Sequence, residues 1–396
     1  MNLINKFQFN WQTRIGLGVM TGTSCDGIDV AAVEFSHNNK DKFKILNYKT
    51  YDYPKEINEF INLMIKERIN FSDISQFNYY ISQLYAEAIN QFISEFDFND
   101  RIDFVAVHGQ TIWHQPIKIQ FLNKNIASTY QAINLSALSK LINLPVVGDF
   151  RAGDIALGGN GAPLVPIFDY VMFSDRNKPT ILVNIGGIAN LTLISLNAKI
   201  SDVVAFDCGP GNILINLLAN KYLNLPYDNK GEIAKSGKVN SRLLDMIRDV
   251  DNYCELPFPK STGREHYNYN FIKNILDKYK QDNLLISQND IIATFTYYTS
   301  FCIANAIKRL NTNDFSLIIS GGGLNNDFLI NQLKKELADM NFTFQVKKLE
   351  DFGIASDAKE SIAFAYLGYL FLNQEYGNVP NATGAIRQTI LGTLAI

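Results

Sequence analysis

Apolar runs at positions 15–20 and 28–35 flank a polar stretch that begins at Thr21 and ends at Gly27. Two such runs around a turn-forming cluster predict a β-hairpin. A short third strand follows at 44–48, then two helical segments. In the second, Ser72 is placed to cap the N-terminus, and Ile74, Phe77, Ile81, Leu84 and Ala88 recur at helical spacing as one core stripe. Residues 104–107 read as a buried strand running into His108, Gly109, Gln110 and Thr111, and 117–130 as an irregular loop. A strand near Val146 and Val147 delivers Asp149, Arg151 and Asp154. A glycine-rich turn over 158–161 comes next, then a helix opened by Pro163 and Pro166 that runs to about Phe173.

The opening pattern then recurs. A strand at 181–184, a glycine turn (IGGIAN) and a strand at 191–195 form a second hairpin. Two glycine-tipped hairpins, each opening one half of the chain, point to an internal duplication with two lobes. Residues 203–206 run as a strand into Asp207, Cys208, Gly209, Pro210, Gly211 and Asn212, followed by helix-like ILINLLANKYL. PKSTGREHYN, with Lys260, Arg264 and Glu265, reads as a solvated connection. A strand at 317–320 leads to Gly321, Gly322, Gly323, Asn325 and Asn326. A late apolar helix carries Asp357 and Glu360 at its mouth, and the tail reads as a loop and strand.

Composition narrows the class. The chain has 396 residues, enough for two domains, and is 47% apolar with 27 Phe and 19 Tyr, which excludes general disorder. A formal charge of −3 without a basic patch argues against a nucleic-acid partner. No apolar run approaches the ~18 residues of a membrane span, and the N-terminus lacks a signal-peptide core. Cys25, Cys208, Cys254 and Cys302 are widely spaced, without a CxxC, so a reducing, cytoplasmic setting is expected.

Several of these stretches carry candidate chemistry. At the first hairpin tip Gly22 and Gly27 allow close backbone approach, and Thr21, Thr23 and Ser24 add hydroxyl donors. Asp26 and Asp29 suit a phosphate only with a divalent cation between. The tip is either a metal–nucleotide hairpin or an ordinary surface hairpin. His108 is a core histidine or, with Gln110, Thr111 and His114, part of a substrate edge at a strand's carboxyl end. Arg151 clamps a carboxylate or phosphate, or pairs structurally with Asp149 or Asp154. Asp207, ahead of a glycine turn and a helix N-terminus, is a catalytic carboxylate or a helix cap. Gly321, Gly322 and Gly323 leave room for a flat adenine or ribose.

GVMTGTSCDGIDV, HGQTIWHQP, GDFRAGDIALGGNGAPLVP, NIGGIANLT, FDCGPGN, PKSTGRE, SGGG and the late ESIAFAYL with TGA, in this order, resemble the anhydro-N-acetylmuramic acid kinase family of the actin, Hsp70 and sugar-kinase superfamily. The resemblance spans nearly the whole chain. It implies an α/β, two-lobed actin-like ATPase (ribonuclease H-like) fold, with a duplicated mixed-sheet domain and an interlobe cleft. The lobes are expected at 1–165 and 166–396, the terminal segment being able to pack back on the first. It also implies ATP and Mg2+, a homodimer, and ring opening of 1,6-anhydro-N-acetylmuramate with phosphorylation at O6 in murein recycling. On that basis Gly22, Thr23, Ser24, Cys25, Asp26, Gly27, Ile28 and Asp29 hold the ATP phosphates, with Asp26 at the metal. Asp207 is the general base. Gly186, Gly187, Gly209, Gly211 and Asn212 line the phosphates, Gly321, Gly322 and Gly323 the adenosine. Gln110, Thr111, Arg151 and Glu360 face the sugar.

The chain departs from the family pattern where QAIN replaces QIGD, DFRA replaces DFRR, and Asn216 stands for an aspartate. The alternatives are a kinase of another sugar or amino sugar, an ATP-gated binding protein, or an inactive relative. Intact Asp207 argues against the last.

Overall fold

In the computed structural model, which describes residues 13–22, 27–36, 43–65, 69–175, 177–264, 266–282 and 285–396, the first strand, β1 (Thr13–Met20), is buried from its second residue onward. A strand covered on both faces is built mainly from apolar or very small residues. Ile15, Leu17 and Val19 share a core with Ile81, Tyr85 and Ile89 of the helix Phe71–Glu95. On the opposite face Gly18 admits the helix Lys359–Leu372, since a Cβ there would lie 1.8 Å from the Ser361 carbonyl oxygen.

β1 pairs antiparallel with β2 (Gly27–Ser36), which pairs antiparallel with β3 (Phe43–Asp52). Its other edge pairs in parallel with β4 (Phe104–Val107), and β4 in parallel with β7 (Val146–Gly148). Between these two, β5 (Gln110–Phe121) and β6 (Lys124–Ala132) form a separate antiparallel ribbon. The loop expected over 117–130 is therefore a hairpin. Its turn places Leu122 at φ +53°, a conformation that asparagine or glycine ordinarily signals, so the residue type hid it.

The second sheet is built from β8 (Thr180–Ile185), β9 (Ile188–Ile194), β10 (Val204–Pro210), β11 (Asp314–Ser320) and β12 (Thr343–Lys347). β8, β9 and β10 run antiparallel in succession, while β8 pairs in parallel with β11 and β11 with β12. This order, β10-β9-β8-β11-β12, repeats β3-β2-β1-β4-β7 of the first sheet, which adds β13 (Thr393–Ala395) as an antiparallel edge. The fold is α/β, with two mixed sheets of one duplicated pattern.

Two units, the described parts of Met1–Met172 with Asp357–Ile396 and of Phe173–Ser356, each hold one of the mixed sheets, the first also holding the β5–β6 ribbon. In the second, Ile181, Val183 and Ile185 of β8 join Leu214 and Leu218 of the helix Ile213–Leu223, and Phe295 and Ile303 of the helix Gln288–Lys308. Local starts differ in detail from the pattern reading. Asn70, not Ser72, caps the helix Phe71–Glu95, in a reciprocal capping box with Asp73. Pro166 alone opens the helix Pro166–Phe173, and the tail adds a short helix, Pro380–Thr383, before β13. Among the described residues no helix is long and apolar enough to cross a membrane.

Candidate active site

Three glycine stretches of the second unit converge on the end of β8. The carbonyls of Gly186 and Gly187, at the tip of the β8–β9 hairpin, accept from the backbone at the start of the helix Ile213–Leu223. Asn212 N reaches Gly186 O at 2.8 Å, and Gly211 N and Ile213 N reach Gly187 O at 2.9 and 3.1 Å. N–H groups at a helix start need partners from outside the helix. Here the hairpin supplies them, so these donors are engaged by protein and the open backbone lies elsewhere. A Cβ on Gly187 would meet nothing within 4 Å, and one on Gly322 only Asn212 Nδ2 at 3.9 Å. Gly186 is nearly as open, its nearest neighbour being Ile188 O at 3.6 Å. Gly211 and Gly323 are the opposite case: added Cβ atoms would lie 2.3 Å from Gly186 O and 2.3 Å from Ile185 Cγ2. Gly321, at φ +83°, is equally confined by Asn184 and Ile185. One set of glycines therefore packs the cradle, and the other leaves its surface free for a ligand.

Asp207 stands where β10 slips against β9 in a bulge that ends at Gly209 (φ +151°). Its N–H donates to Lys260 O at 3.1 Å, and its Oδ2 accepts from Ser261 Oγ and Thr262 N, both at 2.9 Å. Lys260 is pinned in turn, its Nζ donating to Tyr253 O at 2.7 Å and lying 4.3 Å from the centre of the Tyr253 ring. The PKSTGRE stretch, expected to be a solvated connection, is thus the clamp that aims Asp207, and its Glu265 lies outside the described residues. The following helix has Asn212 at its N-cap position, so capping that helix is not the role of Asp207.

In the first unit Thr21 ties the end of β1 to the turn after β4. Its Oγ1 lies 2.6 Å from Tyr85 Oη and donates to Gly109 O at 3.3 Å. Gly22 is half-buried, but Thr23, Ser24, Cys25 and Asp26 lie outside the described residues. Beyond them Gly27 and Ile28 are buried in β2, and Asp29 faces Met20 across the strands and accepts from Thr50 Oγ1.

Arg151 donates from Nε to His108 Nε2 at 2.9 Å and from a terminal nitrogen to Gly161 O at 2.7 Å. Burial pulls its pKa down to about 10, opposed by the carboxylates of Glu360 and Asp154. Accepting at Nε2 puts the proton of His108 on Nδ1, and burial plus the Arg151 charge holds this imidazole neutral, well below its usual pKa. His114 is brought down to about 4 by the same two causes. Burial pushes the Glu360 carboxyl up, against the pull of Lys359 and Arg151. Gln110 is buried, with Oε1 accepting from Tyr53 Oη at 3.4 Å, and Thr111 Oγ1 accepts from Gln131 Nε2 at 3.4 Å. The structure thus gathers His108, Arg151 and Glu360 into one electrostatic group. Asp154 is occupied otherwise: its carboxylate accepts from Gly161 N, Asn378 Nδ2 and Thr383 Oγ1 at 2.7–2.8 Å, binding the TGA tail to the glycine-rich turn.

A family model described as anhydro-N-acetylmuramic acid kinase matches residues 14–396. The chain belongs to the anhydro-N-acetylmuramic acid kinase family. It is 40% identical over 392 residues to the anhydro-N-acetylmuramic acid kinase of Francisella tularensis subsp. novicida (strain U112), covering 96% of this chain and 97% of that one. The corresponding proteins of Clostridioides difficile (strain 630) and Caldanaerobacter subterraneus subsp. tengcongensis are 37% and 33% identical, with at least 96% of every chain covered. Membership makes this an ATP-using kinase of anhydro-N-acetylmuramic acid, an enzyme of peptidoglycan recycling. Three features of this kinase escape the sequence pattern: the Ser261–Thr262 clamp, the His108 support of Arg151, and the Asp154 hub. Each joins residues far apart in the chain, and the motifs PKSTGRE, HGQ and TGA are their only trace.

Proposed function

We propose that the chain hydrolyses the 1,6-anhydro bridge and phosphorylates O6 in one coupled reaction, turning anhydro-N-acetylmuramate, ATP and water into N-acetylmuramate 6-phosphate and ADP. The observation that carries this reading is a single oriented carboxylate, Asp207, held on one oxygen by two donors beside the glycine cradle. A glycosidase needs a second carboxyl group to protonate the leaving oxygen. Here the departing O6 is captured by the γ-phosphoryl group, so one base is enough. Asp207 takes a proton from the water that attacks C1, and the bond from C1 to O6 breaks as O6 bonds to phosphorus.

The open backbone at Gly186, Gly187 and Gly322 fits the nucleotide, because no side chain intrudes there. Gly209, Gly211, Asn212, Gly321 and Gly323 shape that surface from behind. Gly22, Gly27, Ile28 and Asp29 are assigned to the first phosphate hairpin, together with Thr23, Ser24, Cys25 and Asp26. Magnesium accompanies ATP and neutralises phosphate charge, and Asp26 is the residue assigned to it. Gln110, Thr111, Arg151 and Glu360 are assigned to the sugar, Arg151 supplying a fixed positive charge suited to the lactyl carboxylate. The enzyme is proposed to work as a cytoplasmic homodimer.

Asp207→Asn keeps the two clamping donors in reach but removes the base. Turnover is expected to fall by a factor of about 10²–10⁴ with ATP affinity unchanged, as measured by steady-state kinetics and nucleotide titration. Wild-type turnover in this variant would remove Asp207 from the mechanism.

A further inference from the structure

Two cysteines that play no part in this scheme lie against the bulge that follows Asp207. Cys254, in the turn Tyr253–Glu255, and Cys302, in the helix Gln288–Lys308, are both buried free thiols with their sulfurs 2.9 Å apart. That is within about 0.9 Å of the ~2.05 Å of a disulfide. A cavity of about 340 Å³ reaches Cys254, lined also by Arg248, Asp251, Tyr298 and Phe301. Hydrogen bonding to Cys302 pulls the Cys254 thiol down against its burial, whereas burial pushes Cys302 up. Cys254 is therefore the better nucleophile of the two, and the one that the cavity meets.

Both residues also touch the supports of the candidate base. The Cys254 carbonyl accepts from Lys260 Nζ at 3.3 Å, and the Lys260 carbonyl holds the Asp207 N–H at 3.1 Å. Cys302 packs on the other side of the bulge, its Cβ 3.1 Å from where a Gly209 side chain would begin. A covalent bond between the sulfurs draws together the segment that carries Lys260 and the helix under Gly209.

We propose that Cys254 and Cys302 form a reversible redox site, closed to a disulfide by a hydroperoxide, and that closure lowers turnover by displacing Asp207. In the first step the Cys254 thiolate attacks the peroxide, giving a sulfenic acid, with water leaving when the oxidant is hydrogen peroxide. In the second the Cys302 thiol attacks that sulfur, forming the S–S bond and releasing a second water. In sum two thiols lose two electrons and two protons, and one peroxide becomes two waters. A dithiol reductant reverses it. The effect on turnover rests on the assignment of Asp207 as base, because a misplacement of ~1 Å can cost on the order of 10²-fold in rate.

The test uses the full-length chain, reduced, desalted and treated with equimolar hydrogen peroxide. Non-reducing peptide mapping and turnover with ATP and the anhydro-sugar are then read before and after dithiothreitol. The expected result is a Cys254–Cys302 linked peptide, turnover at least tenfold slower, and recovery on reduction. Cys302→Ser, or Cys254→Ala should the first misfold, keeps the turnover of the reduced parent and shows no reversible fall. The proposal is overturned if no linked peptide forms, if it forms with turnover unchanged, or if Cys302→Ser loses activity as the parent does. Failure of the base assignment is read separately, from the reduced Asp207→Asn variant, because the linked peptide does not depend on it.

Discussion

The two sheets share a strand order but place different chemistry at the ends of equivalent strands. In the second unit the third strand, β10, ends at a bulge with an anionic side chain, Asp207, clamped from outside the sheet by Ser261 and Thr262. In the first unit the equivalent β3 ends quietly at Asp52, and it is the fourth strand, β4, that runs into a polar group, with neutral His108 supporting the cationic Arg151. The anchoring beside the hairpins differs as well. The second tip is bonded through its carbonyls to a helix start, whereas the first unit anchors Thr21 through Tyr85 and Gly109. Duplication copied the scaffold, and the proposed duties differ at these strand ends: the base and the open glycine surface in the second copy, the sugar contacts in the first, with a hairpin of each copy assigned to the phosphates.

The largest effect that would break this division is the loss of turnover in Asp207→Asn. Arg151→Lys should do something different, since an ammonium cannot reproduce the two directed bonds to His108 and Gly161. The expected outcome is an at least tenfold rise in KM for the sugar with little change in KM for ATP. An equal effect on both would dissolve the contrast between units.

Next in size is the Asp154 hub. Asp154→Ala strands three donors in a buried site and is expected to cost about 1–3 kcal/mol or more, read as a lowered urea midpoint. The two kinds of glycine give a sharper comparison. Gly211→Ala is expected to destabilise by about 1–3 kcal/mol, because its Cβ would press on Gly186 O. Gly187→Ala, with open space around it, should leave stability within about 0.5 kcal/mol and instead raise KM for ATP.

The last comparison is the pH dependence that the two histidines of the first unit contribute. His114 titrates near 4 when folded and near 6.5 when unfolded, so between those values the unfolded chain binds more protons. His108 acts in the same direction. The stability that these histidines contribute is thus full above pH 6.5 and falls as pH drops toward 4, by up to about 1.4 kcal/mol per pH unit for each. Urea unfolding at pH 7 and pH 5 reads this, and His114→Gln should flatten the slope.

How much was legible in the sequence follows from the range of each interaction. The hairpins around Thr21 and Gly186 were readable because apolar runs break at glycines, a purely local signal. The β5–β6 ribbon was not, since Leu122 takes the left-handed position of its turn and Asn123 stands there as a lone turn signal. The helix Phe71–Glu95 is recognisable from its stripe while its cap falls two residues earlier than the pattern suggests, because Asn70 and Ser72 are both good caps and only geometry chooses between them. Asp207 stands out at the end of a strand, yet its clamp lies some fifty residues downstream in a segment with no periodic signal. The partners of Asp154 are further still, at Asn378 and Thr383.

Isotopic water gives the most direct test of one carboxylate acting on one water. The full-length enzyme turns over ATP, magnesium and anhydro-N-acetylmuramate in ¹⁸O-water, and the product is trapped promptly by reduction at C1 and analysed by fragmentation. The account expects one ¹⁸O on C1 and none on the phosphate, with labelled product accumulating about 10²–10⁴-fold more slowly in Asp207→Asn. An unlabelled sugar, a product with its bridge intact, or label on phosphorus would contradict it.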